Sequence, residues 1–465
     1  MHFSPQLNLP FSTQDLEGIL ADALRVLDKV GVACAHAPTV ERLTASPGVR
    51  YDGGRLHWAP DFARQHVEEV QRRGAASNPP EPPFEVMAPW CCLEYADPRT
   101  GQVRPATTAD AVEMARMMDA RGGRNWPIPL IPADVPRRHA TLACEHIALS
   151  HTAKLGGFTI AMDPQEIEFL IEMNQAAGRT FTLVEQISIS PLRFNDHGLE
   201  AHRRFAGRSD VRVILTGAMA CVGSSAPLPI RSAMVQLAAE AMALSLAGSA
   251  LAGGGGGGFG GEIFPFDFQH ALLVFSGPED MLYWALHKQL LEFLNGTPVR
   301  GGSFHSMARQ PDPQATAERT ALALWQAIHG ARRFHGAGQL AIDHVFSPQQ
   351  AVIDDEIMAM VAHVVRGLDP LAGAADPVAE IAEGVAGGTF IDQPATAEGF
   401  RKVAFFPQLF HRYNVGRWHA LGGPTILAEA WEKAQEQIRS CRFHLSDSQQ
   451  RDLDRLYAKA RATVQ

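Results

Sequence analysis

The sequence predicts an α/β protein whose central part is a (β/α)8 TIM barrel, with a helical section before it and helices after it. From about residue 137 onward, short apolar runs typical of buried strands alternate with segments of helical periodicity. Eight such runs with interposed helices occupy about 260 residues, which matches a βα barrel in number and length. A chain of 465 residues also exceeds one small core and suits a barrel with extensions.

The predicted elements follow one another as strand, then helix. The strand candidates are 158–162, 181–190, 211–218, 247–251, 272–275, 298–302, a piece of 338–345, and 388–391. The helical candidates are 163–177, 197–206, 230–246, 278–294, 312–329, 347–365 and 376–383. A doubly wound sheet is the alternative, but no phosphate-binding glycine fingerprint follows the first strand. The glycine run 253–261 lacks the Lys-Ser/Thr of a P-loop, and we interpret it as a mobile loop over the barrel mouth.

Proline-rich stretches set the predicted domain limits. Ser12 and Asp15 form a capping-box pattern before an amphipathic helix, so the chain starts with a helical section. Four prolines and a glycine pair in 122–136 mark its end. We therefore predict a front section over 1–135, the barrel over 136–395, and a C-terminal helical extension over 396–465.

Composition excludes several classes of protein. A net charge of −9 argues against a nucleic-acid surface, and 46% hydrophobic residues are typical of a globular protein. No run of eighteen apolar residues occurs, since Glu240 interrupts 238–252, and the first residues do not resemble a secretory signal. Six scattered cysteines indicate reduced thiols, and we expect a cytoplasmic protein without a membrane segment or a metal site.

The prediction of a functional site starts from residues 297–318. A short apolar piece runs into Gly301-Gly302, and a polar loop then ends at Asp312-Pro313, an N-cap followed by proline in the first helical turn. A strand, a glycine-lined loop and a capped helix present polar groups at the C-terminal edge of an α/β sheet.

A series of short motifs runs along the chain in a fixed order, at 27–32, 51–55, 97–101, 151–154, 190–192, 277–279, 312–315, 353–357, 406–407 and 411–412. In order and spacing they resemble the trimethylamine methyltransferase family, the corrinoid-dependent methylamine and betaine methyltransferases. Members that act on trimethylamine carry pyrrolysine in the loop matching 303–311, where this chain has standard residues only. The sequence therefore resembles the non-pyrrolysine branch, whose substrates are mostly quaternary amines such as glycine betaine.

The resemblance implies transfer of a methyl group from a small methylated amine to the Co(I) corrinoid (cobalamin) of a partner protein. The corrinoid-binding protein would dock on the barrel top, and this chain would hold no cofactor tightly. A homo-oligomer is a family-level expectation. Catalysis would depend on positioning and desolvation, because a quaternary ammonium leaves as a neutral amine and needs no general acid.

Four polar residues are the catalytic candidates under this resemblance. His305 lies in the central loop, and His344 follows a predicted strand piece. Gln314 lies at a helix start, where it binds either a substrate carboxylate or its own helix. Glu318 lies one turn on, on the same helix face.

Aromatic faces are the expected surface for a methylated ammonium, at about 0.5–2 kcal/mol for each cation–π contact. The candidates are Phe264, Phe266, Phe268, Phe304 and Phe346, with Phe259 and, from the front section, Trp90 and Tyr95. Packing in the core is the commoner fate of such residues, and we expect about two to reach a ligand. Asp97, in a polar turn with Arg99, is a candidate from the front section, and we expect no metal ligand.

Two rival functions stay open at this point. The chain departs from the family pattern at 218–230 and has Ala395-Thr396 where the family usually has His-Thr. Such changes fit a barrel-fold binding or regulatory relative that has lost methyl transfer. The other rival is a lyase or hydrolase that uses His305 or Glu318 as a base.

Overall fold

A computed structural model describes residues 10–77, 79–90, 92–121, 126–161, 163–251, 257–369 and 376–464. The α-helices of these residues are α1 Thr13–Lys29, α2 Ala37–Thr44, α3 Pro60–Ser77, α4 Thr108–Asp119, α5 Ala140–His151, α6 Pro164–Ala176, α7 Asp196–Phe205, α8 Ile230–Leu251, α9 Pro278–Asn295, α10 Pro313–Ile328, α11 Pro348–Arg366, α12 Pro377–Gly387, α13 Pro394–Val403, α14 Val415–Ala420, α15 Ile426–Ser440 and α16 Asp447–Thr463. A short 3-10 helix, Arg137–His139, precedes α5.

The strands are short. They are β1 Val32–Ala33, β2 Val49–Asp52, β3 Arg55–Trp58, β4 Glu85–Val86, β5 Glu94–Asp97, β6 Gln102–Pro105, β7 Phe158–Ile160, β8 Phe181–Glu185, β9 Ser188–Ile189, β10 Arg193–Phe194, β11 Val211–Leu215, β12 Ala218–Val222, β13 Gly261–Asp267, β14 Leu272–Leu273, β15 Gly301–Ser303, β16 Arg333–His335, β17 Gln339–Leu340 and β18 Val345–Phe346.

Parallel ladders joined by helices form the centre of the fold. β8 lies between β7 and β11, β12 pairs with β13, and β16 lies between β15 and β4, all in parallel. Helices α6 to α10 follow these strands along the chain, so the predicted α/β alternation is confirmed. The ladders of the described residues form five separate sheets, and they do not close into the single eight-stranded barrel that the sequence predicts.

Several predicted strands are wrong. Residues 247–251 form the last turn of α8, since alanine and leucine favour a helix that is already buried. Residues 388–391 are a turn, because Gly388 ends α12 in a left-handed conformation with φ of 76°. Residues 272–275 contribute only β14, antiparallel to the end of β13, and 338–345 contributes a hairpin of β17 and β18.

Several strands were not predicted at the positions where they occur, among them β4, β13 and β16. β13 follows the glycine run, of which residues 252–256 lie outside the described part of the chain. β16 comes directly after α10, and β4 lies in the proline-rich part of the front section. Because β4 pairs with β16, the front section contributes backbone to the central ladders.

Two predicted helix caps are confirmed. Ser12 and Asp15 form a reciprocal capping box at the start of α1. The Asp312 carboxylate accepts the Ala315 N–H at 2.9 Å and starts α10. Both carboxylates satisfy backbone donors that a helix start leaves unpaired, so local chemistry alone set these two boundaries.

The long apolar helix α8 lies at the centre of the largest core cluster. Its length and hydropathy would suit a membrane span, yet 78% of its most apolar window is buried within the protein. The Glu240 carboxylate, near its middle, accepts hydrogen bonds from the Ser190 hydroxyl and the Leu192 N–H, both at 2.7 Å. α1 packs along α8, and the helix is a core element that joins the front section to the ladders.

The C-terminal helices pack on the outside of the ladders. α15 packs against α11 and α4, whereas α16 packs against α6 and α5.

Candidate active site

Seven aromatic rings contact one another in a row beside the parallel strands, and we call them the aromatic wall. They are Trp90, Trp126, Phe158, His335, His305, Phe275 and Phe264. Phe158, His335 and Phe264 lie on β7, β16 and β13, and His305 and Phe275 lie just after β15 and β14. The wall therefore collects aromatic residues from distant parts of the chain.

One end of the wall is built from indole and phenyl rings. The rings of Trp126 and Phe158 stack with centroids 5.1 Å apart, and Trp90 lies 5.3 Å from Trp126 and 5.5 Å from Phe158. The Trp126 indole N–H donates to the Pro89 carbonyl at 3.2 Å, which fixes that ring. Ile160 shares a strand face with Phe158 and is still 37% exposed, so the space beside this end is open.

The middle of the wall is a histidine pair. His305 and His335 meet edge to face at 5.2 Å, and the Phe275 ring stacks on His305 at 4.1 Å. His335 lies 2.9 Å, through Nδ1, from the Gly302 carbonyl, so Nδ1 carries the proton and donates. Phe264 closes the row at 4.6 Å from Phe275.

Both imidazoles are neutral near pH 7. Burial, with smaller contributions from His335 and Arg319, holds the pKa of His305 well below its usual range. Burial also lowers the pKa of His335, against its hydrogen bond to the Gly302 carbonyl. Although protein atoms surround both rings, each keeps some accessible surface, as expected for residues that line an internal space. Neutral imidazoles do not repel a cation there.

Glu262 is a carboxyl of this region that sequence reasoning missed. It precedes Phe264 by two residues on β13, so the two share a strand face, whereas Ile263 points into the core beside α8. Burial raises the pKa of Glu262 to about 7, and no hydrogen bond or ion pair of a described residue opposes that shift. The side chain also keeps accessible surface, so it lines the same kind of internal space.

Asp280 is a second carboxyl close to Glu262. Burial, followed by the charges of Glu262 and Glu279, raises the pKa of Asp280 to about 7, against the hydrogen bond from Ser276. That bond joins the Ser276 N–H to the Asp280 carboxylate at 2.9 Å and holds the residue after Phe275. Asp280 therefore positions the wall, while Glu262 has no such partner among the described residues.

Glu318 fixes the loop that carries His305. Its Oε2 accepts the Ser306 hydroxyl and the Met307 N–H, both at 2.8 Å. Its Oε1 accepts the Gln314 amide at 2.7 Å. Because these donors occupy the carboxylate, we interpret Glu318 as a positioning residue, and Gln314 is exposed beside it.

The remaining predicted residues lie outside the wall. His344 is exposed, with its ring 3.6 Å from the Asp343 carboxylate. Phe304 and Phe346 are fully buried in a core cluster with Phe334. For both phenylalanines, packing in the core accounts for the side chain.

Phe266 and Phe268 contact each other edge to face at 5.3 Å near the end of β13, and Phe268 is 66% exposed. Of the predicted phenylalanines, Phe264 belongs to the wall, while Phe266 continues the strand face that carries Glu262 and Phe264. We therefore treat Phe266 and Phe268 as a candidate rim of the site.

Asp97 belongs to an ion-pair cluster in the front section. Its carboxylate lies 3.0 Å from the Arg104 guanidinium and accepts the Arg99 N–H at 3.0 Å. Arg104 also binds Asp110 at 2.7 Å and lies over the Tyr95 ring at 5.2 Å. These contacts account for the charge and burial of Asp97 within the β5–β6 hairpin.

The larger surface cavities are separate from the wall. One of about 780 Å³ lies along α10 and is lined by Thr316, Thr320 and Leu324, with Phe410 and Leu427 opposite. The residues that line this cavity are mostly apolar and include no histidine. No group of three or more histidine, cysteine or acidic side chains with metal-site geometry occurs among the described residues.

The fold and the wall define an α/β protein with a cation-compatible aromatic site, and a family model specifies its class. The model described as trimethylamine methyltransferase matches residues 4–464. The chain belongs to the trimethylamine methyltransferase family.

Individual relatives agree with this assignment. The trimethylamine methyltransferase MttB of Methanosarcina barkeri (strain Fusaro) is 28% identical over 225 residues, which are 48% of this chain and 44% of that protein. The chain thus spans about half the length of the Methanosarcina relatives it matches. The glycine betaine methyltransferase of Desulfitobacterium hafniense (strain Y51) is 23% identical over 434 residues, 89% of each chain.

A solved structure is similar in fold. The Methanosarcina barkeri monomethylamine methyltransferase, MtmB, superposes with a TM-score of 0.50 at 9% identity, covering 94% of this chain and 89% of that one. Its hydroxylamine complex gives the same TM-score at 10% identity.

Proposed function

We propose that this protein transfers a methyl group from a small quaternary amine to the Co(I) corrinoid of a separate protein. The observation that carries the proposal is the aromatic wall with its two neutral imidazoles, together with the carboxyl of Glu262 on the strand of Phe264, which has no hydrogen-bond or ion-pair partner among the described residues. Membership of the trimethylamine methyltransferase family supplies the reaction class.

The wall suits a methylated ammonium because it combines aromatic faces with low local polarity. A cation over an aromatic face gains about 0.5–2 kcal/mol, with the larger value in a desolvated site. Phe275, Phe158 and Trp126 provide such faces, and the neutral rings of His305 and His335 lie between them.

Glu262 provides the single negative charge that the bound cation needs. A bare ammonium in a desolvated site is costly unless a counter-charge accompanies it. A cation beside Glu262 favours its ionised form, so binding replaces the proton on the carboxyl by the ligand. Gln314 remains our proposed contact for a carboxylate on the amine, through its exposed amide beside Glu318.

The chemistry requires no proton transfer from this chain. When docked, the corrinoid of the partner supplies the nucleophile that takes the methyl group. The amine leaves with the electron pair of the broken C–N bond and is neutral. The residues of the wall orient the methyl group and exclude water, while Glu318 and Asp280 hold the loops of His305 and Phe275.

We also propose that the parallel ladders are arcs of one (β/α)8 barrel around this space. Pairing of β4 with β16 links the front section to a late strand of the chain, as closure requires. Gly217, just before β12, allows the start of β12 to lie close to the start of β13, because a Cβ there would lie 2.2 Å from the Gly260 carbonyl carbon. The residue must be glycine for the two backbones to approach.

Methyl transfer is tested by mixing the protein with cob(I)alamin and a panel of quaternary amines that includes glycine betaine. We expect one amine to give methylcobalamin absorbance and an equal amount of the corresponding tertiary amine by NMR. Phe275→Leu and Glu262→Gln are expected to lower the rate, while the surface control Glu279→Gln leaves it unchanged.

Two results would contradict the proposal. Binding of an amine without any methyl–cobalt product, even with corrinoid proteins of this class, would indicate the binding relative instead. Turnover of a substrate without cobalt would indicate a lyase or hydrolase.

A further inference from the structure

Met219 is a large apolar side chain on a central strand of the fold that is not buried. It lies on β12, where Ala218, Ala220 and Val222 are almost fully buried, whereas Met219 keeps 47% of its surface exposed. Successive residues of a strand point to opposite faces of the sheet, so Met219 lies on the face that does not contact the core. Its side chain therefore borders a space.

The pairing of β12 with β13 places Met219 beside Glu262. In this parallel ladder Met219 is the register partner of Glu262, and Cys221 is the register partner of Phe264. Paired residues of neighbouring strands point to the same face, and the strands lie about 4.8 Å apart. Met219 thus shares a face with the carboxyl of Glu262 and with one ring of the aromatic wall.

The other face of these two strands is filled by α8. Ala220 and Ile263 belong to the core cluster that contains this helix. A Cβ at Gly261 would lie 2.7 Å from Leu237 Cδ1 of α8, so the backbone of β13 packs directly on the helix. Because this face is closed, Met219 cannot turn into the core, and its side chain stays on the opposite face.

The chemistry of methionine suits contact with an alkylated cation. A thioether has no hydrogen-bond donor of its own, so Met219 does not occupy the Glu262 carboxyl. Its side chain has three rotatable bonds and a polarisable sulfur, so it adapts to the shape of an apolar group. Glu262 supplies negative charge and Met219 supplies apolar surface at one place. The length of the methionine side chain then limits the room for alkyl groups on the nitrogen of the ligand.

We propose that Met219 determines the size of the ammonium group that the site accepts beside Glu262. The inference rests on the proposed function, since it requires that an ammonium binds there. Methyl groups fit beside the full methionine side chain, whereas a shorter side chain at this position admits ethyl groups. One methylene in an apolar pocket changes affinity by about 10- to 200-fold, so a single side chain can decide between the two sizes.

The test is titration calorimetry of the full chain at pH 8 with tetramethylammonium and tetraethylammonium, which have the same charge and different sizes. We expect the wild type to bind tetramethylammonium at least about tenfold more tightly. Met219→Ala should shift the ratio of the two affinities toward tetraethylammonium by at least about tenfold. Met219→Gln keeps the length of the side chain and should keep the wild-type ratio.

Leu427→Ala on α15 is the matched control, because Leu427 is 39% exposed and lies beside a cavity that is separate from the wall. It should leave both affinities unchanged. Circular dichroism checks that each variant is folded, and a loss of stability alone lowers both affinities without changing their ratio.

The outcomes separate this proposal from the proposed function. A wild type without a size preference, or a ratio that Met219→Ala leaves unchanged, would overturn the role of Met219 and leave the proposed function intact. A ratio that Met219→Gln shifts as far as Met219→Ala would also overturn it, since the length of the side chain would then not matter. Failure of the wild type to bind either ion would overturn both.

Discussion

At the scale of single residues, the site combines rings that stay uncharged with two neighbouring carboxyls that can gain or lose a proton near neutral pH. Burial keeps His305 and His335 neutral, and burial raises the pKa of both Glu262 and Asp280 to about 7. A site of this composition is uncharged when empty at mildly acidic pH. It becomes negative when one of these carboxyls ionises, and a cation beside Glu262 stabilises the ionised form of that residue.

The first prediction concerns Glu262. Glu262→Gln removes the charge but keeps the shape, so binding of a quaternary ammonium should weaken by about ten- to hundredfold, since contacts to a charged group contribute about 1.5–3 kcal/mol. Isothermal titration calorimetry measures the affinity, with Glu279→Gln as the control because Glu279 is exposed. Equal losses in both variants would show that Glu262 acts only through the general field of the protein.

The second prediction is a dependence of affinity on pH. Below a pH of about 7, Glu262 is protonated in the empty protein, and the cation must displace that proton. Affinity should therefore rise as pH increases through about 7 and level off above it. Titration calorimetry in buffers of different ionisation enthalpy should detect proton release on binding at pH 6 and little at pH 9. Glu262→Gln should abolish the difference, and a difference that persists in this variant would show that another group, such as Asp280, releases the proton.

The third prediction separates aromatic character from burial. Phe275→Leu keeps an apolar side chain but removes the ring that stacks on His305, so ammonium binding should weaken by about 0.5–2 kcal/mol, or about two- to thirtyfold. Phe304→Leu is the control, since Phe304 is fully buried outside the wall. It should lower thermal stability and leave the affinity unchanged. The reverse pattern would place the ligand beside Phe304 and not at the aromatic wall.

Sequence reasoning reached only part of the site. Of the candidates, Trp90, Phe264 and His305 lie in the wall. Phe264 and His305 could be found because the period of a strand and the loop after Gly301-Gly302 are local signals. Trp126 and His335 were missed, since one lies in a proline-rich stretch and the other in a three-residue strand. Phe304 is fully buried in a core cluster, and the sequence could not indicate this because alternation gives two faces but does not say which face is inward.

At the scale of the elements, a buried ion pair joins α10, α11 and the turn before β17. The Arg319 guanidinium lies 2.8 Å from the Asp354 carboxylate, and neither side chain is exposed. Asp354 also accepts the Gly338 N–H at 2.7 Å and the Gln350 amide at 2.9 Å. The carboxylate therefore holds together the elements behind His335.

The fourth prediction follows from that burial. Asp354→Asn leaves the Arg319 charge without a counter-charge in the core, so the free energy of unfolding should fall by about 3–5 kcal/mol. Urea unfolding measures the loss. In the exposed pair of Arg455 and Asp452, Asp452→Asn should cost no more than about 1 kcal/mol. A small effect of Asp354→Asn would indicate that water reaches Arg319.

Helices were predicted correctly where their amphipathic pattern extends over many residues. Strands of only two or three residues were missed. The helices from α6 to α11 and the caps at Ser12 and Asp312 were predicted, because amphipathic periods and caps are local. β4 and β16 have two and three residues and pair across the chain, so no local period identifies them. The last turn of α8 was taken for a strand because a buried helix is apolar on all sides.

At the scale of the whole molecule, one chain presents two surfaces of different character. The aromatic wall faces an internal space, where aromatic faces and a desolvated carboxyl favour a small cation. Helices α12 to α14 face outward, and α12 exposes the apolar side chains of Val378, Ile381 and Val385. Neither the wall nor this exposed face was foreseen as a unit, because both depend on residues that only the fold brings together.

The central claim is that the site recognises the positive charge of a methylated ammonium, and a matched pair of ligands tests it most directly. Glycine betaine and its uncharged-head isostere 3,3-dimethylbutyrate have the same shape, as do choline and 3,3-dimethylbutanol. Titration calorimetry at pH 8 should show an ammonium member binding at least about tenfold more tightly than its carbon isostere, a difference of about 1.4 kcal/mol. Equal affinity within both pairs, or tighter binding of the carbon isosteres, would contradict the account.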